Sequence, residues 1–594
     1  IKRFLGVKSQ FILSGNIYDI YPISIKEMVT VGTLEIYLKN ILSEAGYRYF
    51  FRYEPYAVTS LLAPPTTTGP EGQPQNEAVA LDIPHASSIV TLERLSTFIQ
   101  SISCFPEGAA ILLGFGSRIQ RLCQNEFDKF LYDLFRVSLN SKARGGRHNL
   151  VFWALDKDND LPPWYANSRI MLLPIPKPDH DIRRHIIMAA GKAISGYQDI
   201  LTHDPLRHAT LVNRFVDQTG GLYASELVSI SSLAAQDGLN FSQIGDAVRH
   251  YKLGVPDNPW DKLDRGIILA GYDRLSSRVV GQNRAVNHSL DIIKRSIFDL
   301  SGSQFSPYAQ KPKGVLFFAG PTGVGKTELA KSITELIFGS PENYIRFDMS
   351  EFNQPHADQR LLGAPPGYLG YDVGGELTNS IKQKPFTLIL FDEIEKANPK
   401  IMDIFLQILD DGRLTSGRGE TVYFSDAIIV FTSNLGVYQD TPEGGKEALV
   451  NPAMSYDEVR KKINEAIYNF FTFTLHRPEI LNRIGKNVVV FDFIREKEAF
   501  QIYEKMLGNV LTRLMDVHKV TLTLAPKDRE LLGKVVTQDL SMGGRGIGNS
   551  LEQFFVNPLA RELFALGVQS HRNIMCSFTE KSDGNFSLTL KSAS

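Results

Sequence analysis

Gly314-Val-Leu-Phe-Phe-Ala-Gly-Pro-Thr-Gly-Val-Gly-Lys-Thr-Glu-Leu-Ala-Lys331 begins as an apolar run, bends through glycines and ends in helix-forming residues. Within it, Gly320, Pro321, Thr322, Gly323, Val324, Gly325, Lys326 and Thr327 spell G-x-x-x-x-G-K-[ST], with a strand pattern before and a helix pattern from Glu328 onward. Glycines let backbone N–H groups curl round a polyphosphate, and the helix N-terminus adds roughly half a positive charge. In such a loop Lys326 reaches the β- and γ-phosphates and the Thr327 hydroxyl holds Mg²⁺.

A second stretch points the same way. Thr387-Leu-Ile-Leu-Phe391 is wholly apolar, as expected of a strand buried on both faces. It delivers Asp392-Glu393 at its carboxyl end, where open α/β sheets bind ligands. Asp392 suits the Mg²⁺ shell, and Glu393 is placed to orient and polarise an attacking water. The two stretches together imply a nucleoside triphosphatase.

Composition bounds the rest. The chain has 594 residues, 43% of them hydrophobic and 22% charged, as in globular chains with real cores. Lys+Arg 64 against Asp+Glu 65 leaves a net charge of -1, so no bulk attraction to nucleic acid or anionic membrane is expected. Cys104, Cys123 and Cys576 are far apart and not in metal-ligand spacing; reduced thiols and a cytoplasmic location are expected. No apolar run approaches a membrane span and no signal peptide is seen. The chain begins at Ile1, not Met, which leaves room for preceding residues and makes the N-terminus a weak guide to location.

The N-terminal half alternates strand and helix patterns. Gln10–Ser14, Ala109–Phe115 and Leu150–Leu155 read as strands, with Gly15-Asn16 and a loop to Pro22 after the first. Residues 63 to 75, rich in Pro, Thr and Gly, read as a loop or linker. Gly114-Phe115 and Asp156 fall about where a nucleotidase carries its acidic strand end and its sensor, yet no phosphate loop is present. A degenerate ATPase-like module that cannot hydrolyse nucleotide and serves assembly or recruitment is expected; an unrelated α/β domain is the alternative. His180 and His185, five apart, do not stack on one helical face and read as surface histidines.

Phe347-Asp-Met-Ser-Glu-Phe352 and Leu362-Gly-Ala-Pro-Pro-Gly-Tyr-Leu-Gly-Tyr371 lie between the two phosphate-handling motifs. With them the chain, from about Arg278 to Glu562, resembles the Clp family of AAA+ unfoldases, specifically the second ATPase module of ClpB- and ClpA-type proteins. Arg278-Val279-Val280-Gly-Gln282 resembles the adenine-contacting segment. Gly320–Thr327 and Leu388–Ala397 match Walker A and Walker B, and Thr432-Ser-Asn434 matches sensor 1. Arg477-Pro-Glu-Ile-Leu-Asn-Arg483 resembles the arginine-finger segment and Gly543-Gly-Arg545 sensor 2. The resemblance implies ATP and Mg²⁺ as ligands, held by Val279, Val280, the loop from Gly320 through Glu328, and Asp392, with Thr327 and Asp392 on the metal. It implies Glu393, Asn434, Arg483 and Arg545 as the catalytic set. Because Arg483 would act on a neighbour's nucleotide, it also implies a homo-hexamer. Gly367, Tyr368, Leu369 and Gly370 resemble the pore loop that drags polypeptide through the ring, with Asp411-Gly-Arg413 as a second substrate-contacting loop.

The expected fold class is α/β, with two AAA+-like parallel-sheet modules, each with a helical lid. The expected boundaries are 1–177 for the degenerate module, 178–250 for its lid, 251–264 for a linker, 265–490 for the ATPase core and 491–594 for its lid. Departures from the family are a missing coiled-coil middle domain, missing paired N-terminal repeats, and no Ile-Gly-Leu/Phe tripeptide between Leu435 and Lys461 for docking a peptidase ring. A dedicated ATP-dependent unfoldase or translocase is expected, with adaptors or complex partners met by the N-terminal module. The alternatives are an ATP-switched scaffold, favoured by slow hydrolysis with ATP-dependent assembly, and a nucleic-acid remodeller, disfavoured by neutral charge and an aromatic pore loop.

Overall fold

A computed structural model describes the chain except residues 26–27, 55–56, 63–90, 106–107, 143–145, 158–159, 166, 255–258, 261, 299, 301–310, 366, 369–370, 441–444, 568–571, 581–585 and 593–594. The Pro/Thr/Gly-rich stretch 63–75 therefore lies outside the described residues, as do Leu369 and Gly370. The chain divides into two compact units, Ile1–Tyr251 and Lys252–Ser594.

Unit 1 is built on β1 (Gln10–Gly15), the hairpin β2 (Ile20–Ile25) and β3 (Met28–Thr33), then β4 (Tyr49–Glu54), β5 (Ala57–Leu62), β6 (Ala109–Leu113), β7 (Leu150–Leu155) and β8 (Ile170–Ile175). The sheet order is β5-β4-β6-β7-β1-β8, parallel except for the β4–β5 pair at its edge. Every residue of β6 and β7 is buried, because helices cover both faces. Along β7, Val151, Trp153 and Leu155 enter one core with Leu95 and Phe130, while Leu150, Phe152 and Ala154 enter another with Leu34 and Leu38. A separate helical core joins helices His180–Ala190, Pro205–Gln218, Ala224–Gln236 and Ile244–Leu253.

Sequence periodicity found β1, β6 and β7 but not β4, β5, β8 or the β2–β3 hairpin. Tyr49-Phe-Phe-Arg-Tyr-Glu54 mixes charge with aromatics, and β8 is half exposed, so neither shows a continuous apolar run. Pro22 suggested a loop; it sits opposite Val31 in a hairpin of two strands, each of which has a free edge.

Unit 2 carries β9 (Gly314–Ala319), β10 (Tyr344–Asp348), β11 (Leu388–Asp392), the hairpin β12 (Arg413–Thr415) and β13 (Thr421–Tyr423), and β14 (Ile428–Ser433). A second hairpin, β15 (Tyr438–Asp440) and β16 (Lys446–Ala448), precedes β17 (Val488–Val490). The main sheet runs β10-β11-β14-β9-β17, all parallel. Leu316 and Phe318 face one core, Phe317 and Ala319 the other. The C-terminal part adds β18 (Val520–Leu524), β19 (Arg572–Glu580) and β20 (Phe586–Ser592) with helices Glu496–His518, Pro526–Val536, Gly543–Leu551 and Asn557–Ala565. Trp260, expected in a linker, is instead buried in unit 2: its indole N–H donates to the Asp426 carbonyl and its ring meets Phe338 edge-on.

Numbered by turn within each unit, the five parallel strands follow one order, 2-3-4-1-5: β4-β6-β7-β1-β8 in unit 1 and β10-β11-β14-β9-β17 in unit 2.

Candidate functional site

The site lies at the carboxyl ends of β9, β11 and β14. β9 runs into the phosphate loop, and helix Lys326–Phe338 leaves it from Gly325, whose φ of 105° no bulky residue adopts easily. A Cβ on Gly323 would lie 2.1 Å from the Met542 carbonyl oxygen, at the start of helix Gly543–Leu551. The Gly544 N–H donates to the Gly323 carbonyl at 2.9 Å, so the loop and helix Gly543–Leu551 touch through backbone. Val279 is buried against the same loop, and a Cβ on Gly325 would meet its Cγ1 at 2.9 Å; Val280 is half-buried beside it. Gln282 exchanges two hydrogen bonds with the Asp492 backbone, 2.9 and 3.0 Å. Glu328 pairs with Arg278 at 3.4 Å.

Lys326 Nζ donates to the Pro321 carbonyl at 2.9 Å, to Asn434 Oδ1 at 2.8 Å and to the Gly320 carbonyl. Burial pushes its pKa down to about 8, against the opposing pull of Glu395, Asp392 and Glu393 and with some help from Arg545. Thr327, half-buried, is the second residue of the helix.

Asp392 is buried and accepts the Thr432 hydroxyl; Arg346 of β10 lies 2.6 Å from its other oxygen. Glu393 holds a left-handed backbone, φ 55°, fixed by its N–H to Thr432 Oγ1 at 3.1 Å. Its carboxylate accepts from Asn434 Nδ2 at 3.3 Å, and Lys396 lies 3.8 Å away. The Asn434 N–H donates to Glu395 Oε1 at 2.9 Å, while Glu395 Oε2 is buried without a hydrogen-bond partner. Lys326, Glu393 and Asn434 are therefore brought together. Arg346 and Glu395 are members that sequence reading missed. Arg346 sits in Ile345-Arg-Phe-Asp348 just before the quoted Phe347 segment, and its strand adjacency to Asp392 is the only signal.

Arg545 opens the sensor-2 helix beside Gly323 and lies exposed. Arg483, on helix Pro478–Ile484, pairs with Asp410 of helix Ile401–Asp411. Arg477 of the same segment pairs with Asp403 at 3.0 Å.

Gly367 has a φ of 90° and Tyr368 is 66% exposed. The ends of this loop are clasped by the β12–β13 turn: Gly417 N–H donates to the Leu362 carbonyl at 2.9 Å, and Arg418 Nε to the Tyr371 carbonyl at 2.9 Å. Gly412, in the second expected substrate loop, closes helix Ile401–Asp411 with φ 61°. His180 and His185 are exposed, and no group of three or more metal-ligating side chains occurs among the described residues. No helix of the described residues is long and apolar enough to cross a membrane.

A glycine loop on a helix N-terminus, an Asp-Glu strand end, a strand-end asparagine and helix Gly543–Leu551 on the loop, in a 2-3-4-1-5 sheet, fit the AAA+ ATPase module that the sequence resembles. Residues 311–487 match the family described as AAA domain (Cdc48 subfamily), and residues 1–176 match the AAA+ chaperone, N-terminal Rossmann-like domain. Chaperone protein ClpB 2 of Nostoc sp. is 38% identical over 310 residues, 52% of this chain and 33% of that protein. ClpB of Nitratidesulfovibrio vulgaris is 39% identical over 315 residues, 52% of this chain and 34% of its own. The chain thus spans about a third of the length of these relatives. The closed-state reconstruction of Hsp104 with ATPγS and FITC casein shares the fold at TM-score 0.61 and 20% identity, covering 99% of this chain and 92% of that one. The extended Saccharomyces cerevisiae Hsp104:casein complex does so at TM-score 0.62 and 19% identity, covering 100% and 94%. The chain is thus similar to ClpB chaperones over about half of its length, and two separate stretches of it match AAA+ families.

Proposed function

We propose that this chain is an ATP-dependent protein unfoldase or translocase, with unit 2 as the motor of a homo-hexameric ring. The observation that carries the reading is one unit holding both a complete phosphate-handling set and an exposed tyrosine after a glycine of positive φ. Hsp104, whose fold is shared, is seen with casein, which supports a polypeptide as the substrate class.

Lys326 and the loop backbone hold the β- and γ-phosphates. Thr327 and Asp392 are the protein oxygens that would hold Mg²⁺, an ion that keeps several waters and leans on substrate phosphate. Bound there, the ion neutralises charge building on the γ-phosphate. Glu393, oriented by Asn434 and its own left-handed backbone, polarises the attacking water. Asn434 bridges Lys326 and Glu393, so loss of the γ-phosphate is felt on β14 at once. Arg483 reaches a neighbouring protomer's γ-phosphate and Arg545 the phosphates of its own chain, swinging the lid. Tyr368, with Gly367, Leu369 and Gly370, grips extended polypeptide by apolar contact. Unit 1 recruits adaptors or clients, and cysteines held as thiols suit a cytoplasmic setting.

Glu393→Gln should bind ATP, lose about 10²–10⁴ in turnover and hold polypeptide tightly enough to be recovered with it. Ordinary turnover would remove Glu393 from its role, and recovery of nucleic acid in a salt-sensitive manner would replace the polypeptide reading.

A further inference from the structure

Unit 1 has the strand order of unit 2 and no phosphate loop, which leaves open what fills the place a nucleotide would take. The matching position is the loop after β1. Gly15 ends the first parallel strand of unit 1 and Gly320 follows that of unit 2, and both have positive φ, 91° and 145°. A Cβ on either would strike a carbonyl oxygen at the end of the fifth strand: that of Ile175, the last residue of β8, at 2.9 Å, or that of Phe491, the first residue after β17, at 2.8 Å. Beyond Gly320 come the glycines and Lys326; beyond Gly15 come Asn16, Ile17, Tyr18 and Asp19.

Asp19 is 4% exposed. Its Oδ2 accepts from Asn16 Nδ2 at 2.9 Å and from the Ala224 N–H at 2.7 Å; its Oδ1 accepts from the Ser225 N–H at 2.8 Å. Ala224 and Ser225 are the first two residues of helix Ala224–Gln236, whose orphan N–H groups and dipole favour an anion. In unit 2 the corresponding contact is helix Gly543–Leu551 on the phosphate loop, through Gly544 and Gly323. In both units, then, a helix N-terminus reaches the loop after the first strand. Only in unit 1 does the chain itself supply the negative charge.

We propose that Asp19 stands in for a nucleotide phosphate and latches the helical part of unit 1 onto its sheet, so that each chain takes one nucleotide, in unit 2. An incoming phosphate would meet a carboxylate where unit 2 offers a lysine, and the two helix N–H donors are already engaged. Burial raises the Asp19 pKa, but the hydrogen bonds from Asn16, Ser225, Ala224 and Ile20 outweigh it and hold the carboxylate below the usual aspartate range. The latch is therefore charged at neutral pH.

The test uses the full chain. Lys326→Ala should bind no ATP, since unit 1 offers no second site. In Asp19→Ala, amide exchange across residues 224–236 should rise about tenfold, the size of a lost charged helix cap, with ATP turnover retained as evidence of folding. Excess inorganic phosphate should restore protection in Asp19→Ala and leave wild type unchanged. Asp19→Asn, which keeps the shape and one acceptor oxygen, should fall between and serves if the alanine variant does not fold. ATP binding by Lys326→Ala, unchanged exchange in Asp19→Ala, or exchange blind to phosphate would each overturn the proposal, the last by reducing Asp19 to an ordinary cap.

Discussion

The carboxyl edges of the two parallel sheets can be laid over each other residue by residue, because the strand registers agree. Leu113 stands opposite Trp153 as Phe391 stands opposite Phe431, and Leu155 opposite Ser14 as Ser433 stands opposite Ala319. Gly114-Phe115 then matches Asp392-Glu393, and Asp156 matches Asn434. The backbone agreement is close: Phe115 and Glu393 share a φ of 55°, rare for side-chain-bearing residues. In unit 2 that conformation sets a carboxylate beside Asn434. In unit 1 it presents a phenylalanine against Tyr18, ring centroids 5.6 Å apart. Arg52 and Arg346 match too, through Leu112 and Leu390. Arg346 pairs with Asp392, whereas Arg52, with glycine in that place, pairs with Glu35 at 2.9 Å. The pair teaches that one topology and one strained backbone position can carry different side-chain chemistry.

The comparison can be broken at several points. The largest effect is expected at Arg483: if a ring brings it to a neighbour's γ-phosphate, Arg483→Ala should lower turnover by about 10³–10⁵ while leaving ATP binding. A loss confined to stability, from the Asp410 pair alone, would show that unit 2 works without its neighbour. Next is Thr432→Val, which removes the hydroxyl shared by Asp392 and the Glu393 backbone. Mg²⁺ affinity in the presence of ATP should fall about 10–100-fold, read by metal titration; no change would detach Thr432 from the site. A pH titration sharpens the contrast further. Asp19 is depressed in the folded state, so its contribution is full above the ordinary aspartate pKa and is lost as pH falls through the lower folded value. Unit 1 should therefore loosen at helix Ala224–Gln236 only below the ordinary aspartate pKa, with Tyr21 the titratable neighbour that senses this charge. Protection that is flat down to the acid transition would contradict the latch. The smallest effect is a null: Phe115→Glu restores a carboxylate at the matched backbone position, yet in a Lys326→Ala chain it should give no turnover. Any hydrolysis there would mean unit 1 still admits nucleotide.

What the sequence made legible was whatever is contiguous along the chain. The phosphate loop, the apolar strand into Asp392-Glu393, and Asn434 after β14 each sit in one unbroken pattern. Arg346 and Glu395 were not legible, because Arg346 matters through the neighbouring strand and Glu395 through the Asn434 backbone N–H just after β14. Asp19 was read as part of a loop; its partners are 205 and 206 residues downstream. The six-stranded sheet of unit 1 was only half visible, since β4 and β8 lack the continuous apolar run of β6 and β7. Register, on which the whole comparison depends, has no local sequence signal at all.

The central claim is that hydrolysis in unit 2 becomes a pull on polypeptide through Tyr368. The direct measurement is ATP turnover and casein unfolding, followed together in wild type and Tyr368→Ala. The account predicts turnover within about twofold of wild type, as for an exposed side chain outside the phosphate site, with unfolding lost. Unfolding that continues at the wild-type rate per ATP would contradict it.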